Sequence, residues 1–68
     1  MELNDLMRAI EAILFAAGER VEIGRLAQTL EVDPKDIVQA TDTLEDQLAY
    51  DRRGIRILRL ETGYQTVC

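Results

Sequence analysis

Residues 23–51 read IGRLAQTLEVDPKDIVQATDTLEDQLAYD, and the four residues Glu31-Val32-Asp33-Pro34 divide this stretch into two apolar-periodic halves. Pro34 suits the first position of a helix, where its missing N–H costs nothing because that donor has no intrahelical partner, and Asp33 stands where a capping residue belongs. From there Ile37, Thr41, Leu44 and Leu48, flanked by Val38 and Ala40, recur at the three-and-four spacing of a helical stripe that runs to about Tyr50. Before the break, Ile23, Leu26, Ala27 and Leu30 place one apolar face on a shorter helix. Its start is poorly marked: Glu22 is a weak cap, and Gly24 costs about 1 kcal/mol relative to alanine. The stretch is therefore a helix-turn-helix.

Upstream, Leu3, Leu6, Met7, Ile10, Ile13, Leu14 and Ala17 predict a first helix from about Asn4 to Ala17, with Asn4 or Asp5 as its cap and Gly18 ending it. Phe15, Ala9, Ala12 and Ala16 lie outside that stripe, so this helix is apolar on more than one face. Two accounts are open. Phe15 packs beneath a later hairpin of its own domain, or it meets a second chain. Residues Glu19-Arg20-Val21-Glu22 read as a short extended connection able to pair with that hairpin. Downstream, Gly54 marks the exit of the third helix, Ile55 to Leu60 is a strand, and Tyr64 to Cys68 resumes the extended pattern after Glu61-Thr62-Gly63. The predicted fold class is α+β, mainly α: a winged helix-turn-helix of three helices and a C-terminal β-hairpin wing. The last strand is expected to be cut off almost as it starts, which marks residues 1–68 as one domain at the front of a longer protein.

The 68 residues carry 47% hydrophobic side chains, one proline and a formal net charge of −5, which fits one small domain and not a disordered chain. A domain of this size buries only about 60% of the surface its unfolded chain exposes, so part of the apolar surface is available to a partner. The longest apolar runs fall far short of the roughly 18 residues of a membrane span, and the acidic start Met1-Glu2-Leu3-Asn4-Asp5 is not that of a signal peptide. The expected location is the cytoplasm, with no membrane contact. One cysteine, Cys68, and no histidine leave no internal disulfide and no expected metal or cofactor. Cys68 reads as a small strand residue.

A helix that reads DNA presents cations and amides to phosphates and base edges. The outward face of the third helix instead carries Lys35, Asp36, Gln39, Asp42, Thr43, Asp46 and Tyr50, three carboxylates against one ammonium. Arg52, Arg53, Arg56 and Arg59 place a basic patch on the wing. That patch has three readings: a solvated hairpin edge or ion pairs with the acidic third helix, contact with an acidic partner, or phosphate contact. The charge of the third helix argues against DNA, and a DNA-binding transcriptional regulator is the alternative function. No enzyme is predicted. The acids are dispersed along polar helix faces, with Asp33, Asp36, Glu45 and Asp46 explained by capping and solvation, and Gly18, Gly24, Gly54 and Gly63 are too scattered to form a phosphate loop.

The run Ile10-Glu11-Ala12-Ile13-Leu14-Phe15-Ala16-Ala17-Gly18-Glu19 followed by Val21, then Leu26-Ala27, the helix-turn-helix break, Gly54-Ile55-Arg56-Ile57-Leu58-Arg59-Leu60 and Gly63-Tyr64-Gln65 resembles the start of segregation and condensation protein B. The resemblance covers nearly the whole chain; each motif alone is common, and together they are moderately specific. It implies a protein of two winged-helix domains, of which this is the first, that dimerises and binds the kleisin subunit, segregation and condensation protein A. That kleisin belongs to the bacterial SMC complex of chromosome condensation and partition. The family's first domain is associated with dimer formation, and a face of Ala9, Ala12, Phe15 and Ala16, with Arg8 and Glu11 beside it, could pair with its own copy about a two-fold axis. Family members often carry serine where this chain has Glu22, which weakens the cap of the second helix. The wing also departs from the family, whose glycine or serine there is replaced by variable acids and arginines.

Overall fold

The computed structural model describes residues 2–51, 54 and 56–67; Ile55 and Cys68 of the expected strands, and Arg52 and Arg53 of the wing, lie outside the described residues. The elements run α1 (Leu3–Ala17), β1 (Val21–Glu22), α2 (Ile23–Leu30), α3 (Pro34–Asp51), β2 (Arg56–Arg59) and β3 (Gly63–Val67). The architecture is the winged helix-turn-helix expected from the sequence.

The start of α1 differs from expectation. Glu2, not Asn4 or Asp5, is its N-cap, and the Leu6 N–H already bonds to the Glu2 carbonyl at 2.9 Å. No side chain caps this end, while Asp5 lies in the first turn, where a carboxylate opposes the positive end of the helix dipole. Gly18 ends the helix as predicted, in the left-handed region at φ 65, with its N–H on the Leu14 carbonyl at 3.3 Å. The stripe is also narrower than its periodicity suggests. Leu6, Met7, Ile10 and Leu14 are buried and Ile13 packs against them, but Leu3 and Ala17 at the two ends are exposed.

Glu22 occupies the N-cap of α2 with extended backbone and no side-chain cap, as the weak signal implied. Its carboxylate serves the tertiary structure instead. Arg20 Nε lies 3.1 Å from Glu22 Oε1, and the Thr62 hydroxyl donates to Glu22 Oε2. The first backbone donor of α2, the Ile23 N–H, is satisfied by the Thr62 carbonyl at 2.9 Å, so the β2–β3 turn closes over the open end of this helix. At the other end Glu31 adopts φ 57, ψ 46, and the Val32 N–H reaches back to the Ala27 carbonyl at 3.0 Å. This is the paired termination that glycine usually provides, here made by a glutamate. Half-buried Val32 then covers the core side of the turn.

Pro34 is the first residue of α3, and the Asp33 carbonyl accepts from the N–H groups of Asp36 at 2.9 Å and Ile37 at 3.3 Å. Ile37, Ala40, Thr41, Leu44 and Leu48 turn inward against α1, α2 and the sheet. The strands order β1-β3-β2, all antiparallel, with Val21 opposite Tyr64 and Glu22 opposite Gly63 on one side of β3. On its other side, partners run from Arg56 opposite Val67 to Arg59 opposite Tyr64. The wing hairpin thus pairs all four residues of β2 with β3. Period-two alternation sends Ile57 and Tyr64 into the core, while Thr66 donates its hydroxyl to the Leu14 carbonyl at 3.3 Å and ties the wing to the end of α1.

Candidate protein-interaction site

The wing does not present its arginines as a group. On β2, Arg59 shares the inward face with Ile57 and reaches α3, where Nη2 donates to Asp42 Oδ1 and, at 3.2 Å, to Glu45 Oε1. The hydrogen bond that Arg59 donates to Asp42, then the one it donates to Glu45, hold the guanidinium pKa above its ordinary value. Arg59 is therefore committed to the acidic helix, one of the readings open from sequence. Arg56 is exposed on the opposite face of the strand, and Arg52 and Arg53 lie outside the described residues. On α3 the residues Lys35, Gln39, Asp42, Asp46 and Tyr50 are exposed and Asp36 and Thr43 partly so. The face that would enter a DNA groove is acidic as expected.

The outer face of α1 has a different character. Phe15 is 63% exposed, so the account in which it packs beneath its own wing is overturned. The reason is geometric. Thr66 approaches α1 at Leu14, and Phe15 lies one residue or about 100° further round the helix, away from that contact. Ala12 and Phe15, with Arg8 and Glu11, line a shallow groove of about 310 Å³. Ala16 is exposed on the same side, whereas Ala9 is half-buried at its margin. Of the four expected interface residues, the fold thus joins Ala12 and Phe15 in one concavity, sets Ala16 beside it and turns Ala9 partly inward. Small alanines on either side of one large aromatic give a knob and shallow holes on the same helix, a form suited to helix packing.

Sequence reading did not identify Glu22 as the junction of Arg20 and Thr62, since its partner in the turn is distant in the chain. Among the described residues no group of three His, Cys, Asp or Glu side chains converges where a metal ion could sit, and no helix is long and apolar enough to cross a membrane.

Comparison with known proteins bears on this geometry. The chain is 40% identical over 65 residues to segregation and condensation protein B of Lachnoclostridium phytofermentans, covering 96% of this chain and 34% of that protein. Over 52 residues it is 42% identical to the protein of the same name from Caldanaerobacter subterraneus subsp. tengcongensis, covering 76% of this chain and 31% of that one. The chain therefore spans about a third of the length of these relatives. The crystal structure of a dimer of the ScpB N-terminal domain complexed with ScpA peptide superposes with a TM-score of 0.88 at 26% identity, covering 96% of this chain and 82% of that chain. The crystal structure of ScpB from Mycobacterium tuberculosis shares the fold, with a TM-score of 0.89 at 21% identity over 98% of this chain and 42% of that one. A family profile described as segregation and condensation complex subunit ScpB matches residues 8–68, and this chain belongs to that family.

Proposed function

We propose that this chain is a non-enzymatic assembly module of a bacterial chromosome segregation and condensation complex, and that it self-associates through the outer face of α1. The observation that carries the reading is the exposed Phe15 among Ala12 and Ala16 in a fold that matches a domain crystallised as a dimer. Residues 1–68 act in this reading as the first of two winged-helix domains. The whole protein works in the cytoplasm at the nucleoid, receiving the kleisin ScpA and, through it, SMC. No cofactor takes part.

Burial of Phe15 supplies part of the association free energy, and its neighbours must supply the rest, because micromolar dimerisation requires about 8 kcal/mol net of association costs. Covering the 63% of Phe15 now exposed, out of roughly 200 Å² for a phenylalanine, removes about 125 Å² of mostly apolar surface and contributes about 3 kcal/mol per protomer. A two-fold axis doubles that contribution, because the same patch is used on both sides. Groups opposite the core of α1 also make little contribution to the domain's own stability. Sedimentation equilibrium tests the proposal. The parent chain is expected to dimerise at micromolar concentration, and Phe15→Glu to be monomeric with a Tm within about 4 °C of the parent. A parent that stays monomeric at high micromolar concentration, or a Phe15→Glu variant that associates unchanged, refutes it. A variant that unfolds would restore the intradomain role for Phe15.

The DNA-binding alternative has Arg56 in its favour and the acidic α3 face against it. A duplex titration showing micromolar affinity with a steep salt slope would reinstate it.

A further inference from the structure

The two strands of the wing are anchored unequally. β3 holds its place without help from β2: it pairs with β1, Tyr64 fills the core, and the Thr66 hydroxyl bonds to the Leu14 carbonyl. The turn before it is fixed as well, through the Thr62 carbonyl at the start of α2. β2 is an edge strand with β3 as its only neighbour in the sheet, and of its four side chains it buries one, Ile57. Beyond that, its tie to the body of the domain is Arg59, whose guanidinium donates to Asp42 and Glu45, one turn apart on α3. This tie is ionic and open to solvent, since Arg59 and Asp42 are exposed and Glu45 is half-buried. Asp42 and Glu45 are like charges on one helix face and repel each other, so the cation between them relieves α3 while it holds the strand. Arg56, on the outward face of the same strand, forms no ion pair among the described residues.

We infer that Arg59, Asp42 and Glu45 form an ionic latch that closes β2 against α3, and that β2 opens as a unit of its own while β1, β3 and the three helices stay in place. Opening bares Ile57 and one edge of β3, surface that the closed form hides. Ionic strength sets the latch, because mobile ions screen an exposed ion pair and leave the apolar burial of Tyr64 and the helices intact. The latch is separate from the α1 face assigned to self-association and does not depend on it.

Residue-resolved amide hydrogen exchange tests the latch. The Leu60 N–H bonds to the Gly63 carbonyl at 2.9 Å, and antiparallel alternation makes Leu58 and Gln65 the next hydrogen-bonded pair between β2 and β3. The same alternation turns the Tyr64 N–H the other way, towards Val21 of β1. Raising sodium chloride from about 0.05 M to about 1 M is expected to speed exchange at Leu58 and Gln65 about three- to fivefold, with Tyr64, Ile10 and Ile37 little changed. Arg59→Gln should exchange fast at Leu58 and Gln65 at both salt concentrations. Arg56→Gln removes a cation from the same strand outside the latch and should respond to salt as the parent does. Exchange that rises equally at Leu58, Gln65 and Tyr64 would show the sheet opening as one piece and overturn the inference. Salt-independent exchange at Leu58 and Gln65 in the parent, or an Arg59→Gln variant with the parent's salt response, overturns it too. The parent titration needs no variant, so it decides the matter even if Arg59→Gln fails to fold.

Discussion

Gly63→Ala is expected to destabilise the domain through one backbone contact. A Cβ built on Gly63 would lie 2.5 Å from the Val21 carbonyl oxygen, 3.0 Å from the Val21 carbonyl carbon and 3.2 Å from Arg20 Cγ. The Arg20 side chain can swing aside; the Val21 carbonyl cannot, because Val21 is buried and paired with Tyr64. Relief requires β1 and β3 to separate by about 1 Å, roughly the shortfall from ordinary contact, and this loosens both a sheet edge and the packing of Val21 and Tyr64. Forcing one extra carbon into a packed site typically costs about 1–3 kcal/mol, offset by up to about 1 kcal/mol because alanine loses less backbone entropy on folding than glycine. A net loss of about 2 kcal/mol is a large share of the roughly 3–10 kcal/mol available to a chain of this size and corresponds to a Tm fall of about 8–16 °C. Gly24→Ala is the matched control. Nothing lies within 4 Å of its added Cβ, and it stands in α2, so helix propensity should stabilise the variant by up to about 1 kcal/mol. Thermal unfolding followed by circular dichroism reads both. A Gly63→Ala Tm within about 2 °C of the parent would show that the β1–β3 approach is not rigid and that the reasoning is wrong.

Three further outcomes follow from single residues. Thr41 is fully buried and its Oγ1 has no hydrogen-bond partner among the described residues; the Tyr64 hydroxyl is near enough to influence its surroundings but does not meet hydrogen-bond geometry. Thr41→Val should therefore stabilise by about 1 kcal/mol in a urea titration, whereas a loss of similar size would reveal a working Tyr64–Thr41 bond. Glu31→Gly, at φ 57, should raise stability by about 1 kcal/mol by relieving the left-handed backbone, and an unchanged urea midpoint would count against that strain. Burial, followed by smaller contributions from Arg59 (lowering) and from Asp42 and Glu45 (raising), lifts the Tyr64 phenol above its ordinary value near 10. Above that pH the unfolded chain releases a proton that the folded chain retains, so stability is intact below about pH 10 and falls as pH rises towards the folded value. Tyr64→Phe should flatten that alkaline decline relative to the parent; parallel pH profiles would show that other groups cause it.

The helix-turn-helix was legible because its signals are local. Pro34 and Asp33 mark a helix start wherever they occur, and the spacing of Ile37, Thr41, Leu44 and Leu48 or of Leu6, Ile10 and Leu14 depends only on the 3.6-residue turn. Charge is similarly local, so the acidity of the α3 face could be read before its orientation was known. The resemblance at Gly63-Tyr64-Gln65 also carried a physical requirement that the spacing did not disclose. Gly63 stands where the β1 carbonyl comes too close for a side chain, and Tyr64 beside it fills the core.

Tertiary structure decided the questions that turn on which neighbour covers which face. Leu3 and Phe15 have the same apolar character as Leu6 and Leu14 in the sequence, yet α3 and the wing cover only the latter pair, a difference set by neighbours distant in the chain. Glu22 reads as a weak helix cap and Arg59 as part of a basic wing patch with several possible partners; the bond from Thr62 to Glu22, and the choice of Asp42 and Glu45 by Arg59, arise from contacts across the chain. The sequence by itself determined the elements and their signs of charge, because those depend on near neighbours; the tertiary structure alone decided that the uncovered apolar surface of α1 lies on its far side and at its first turn.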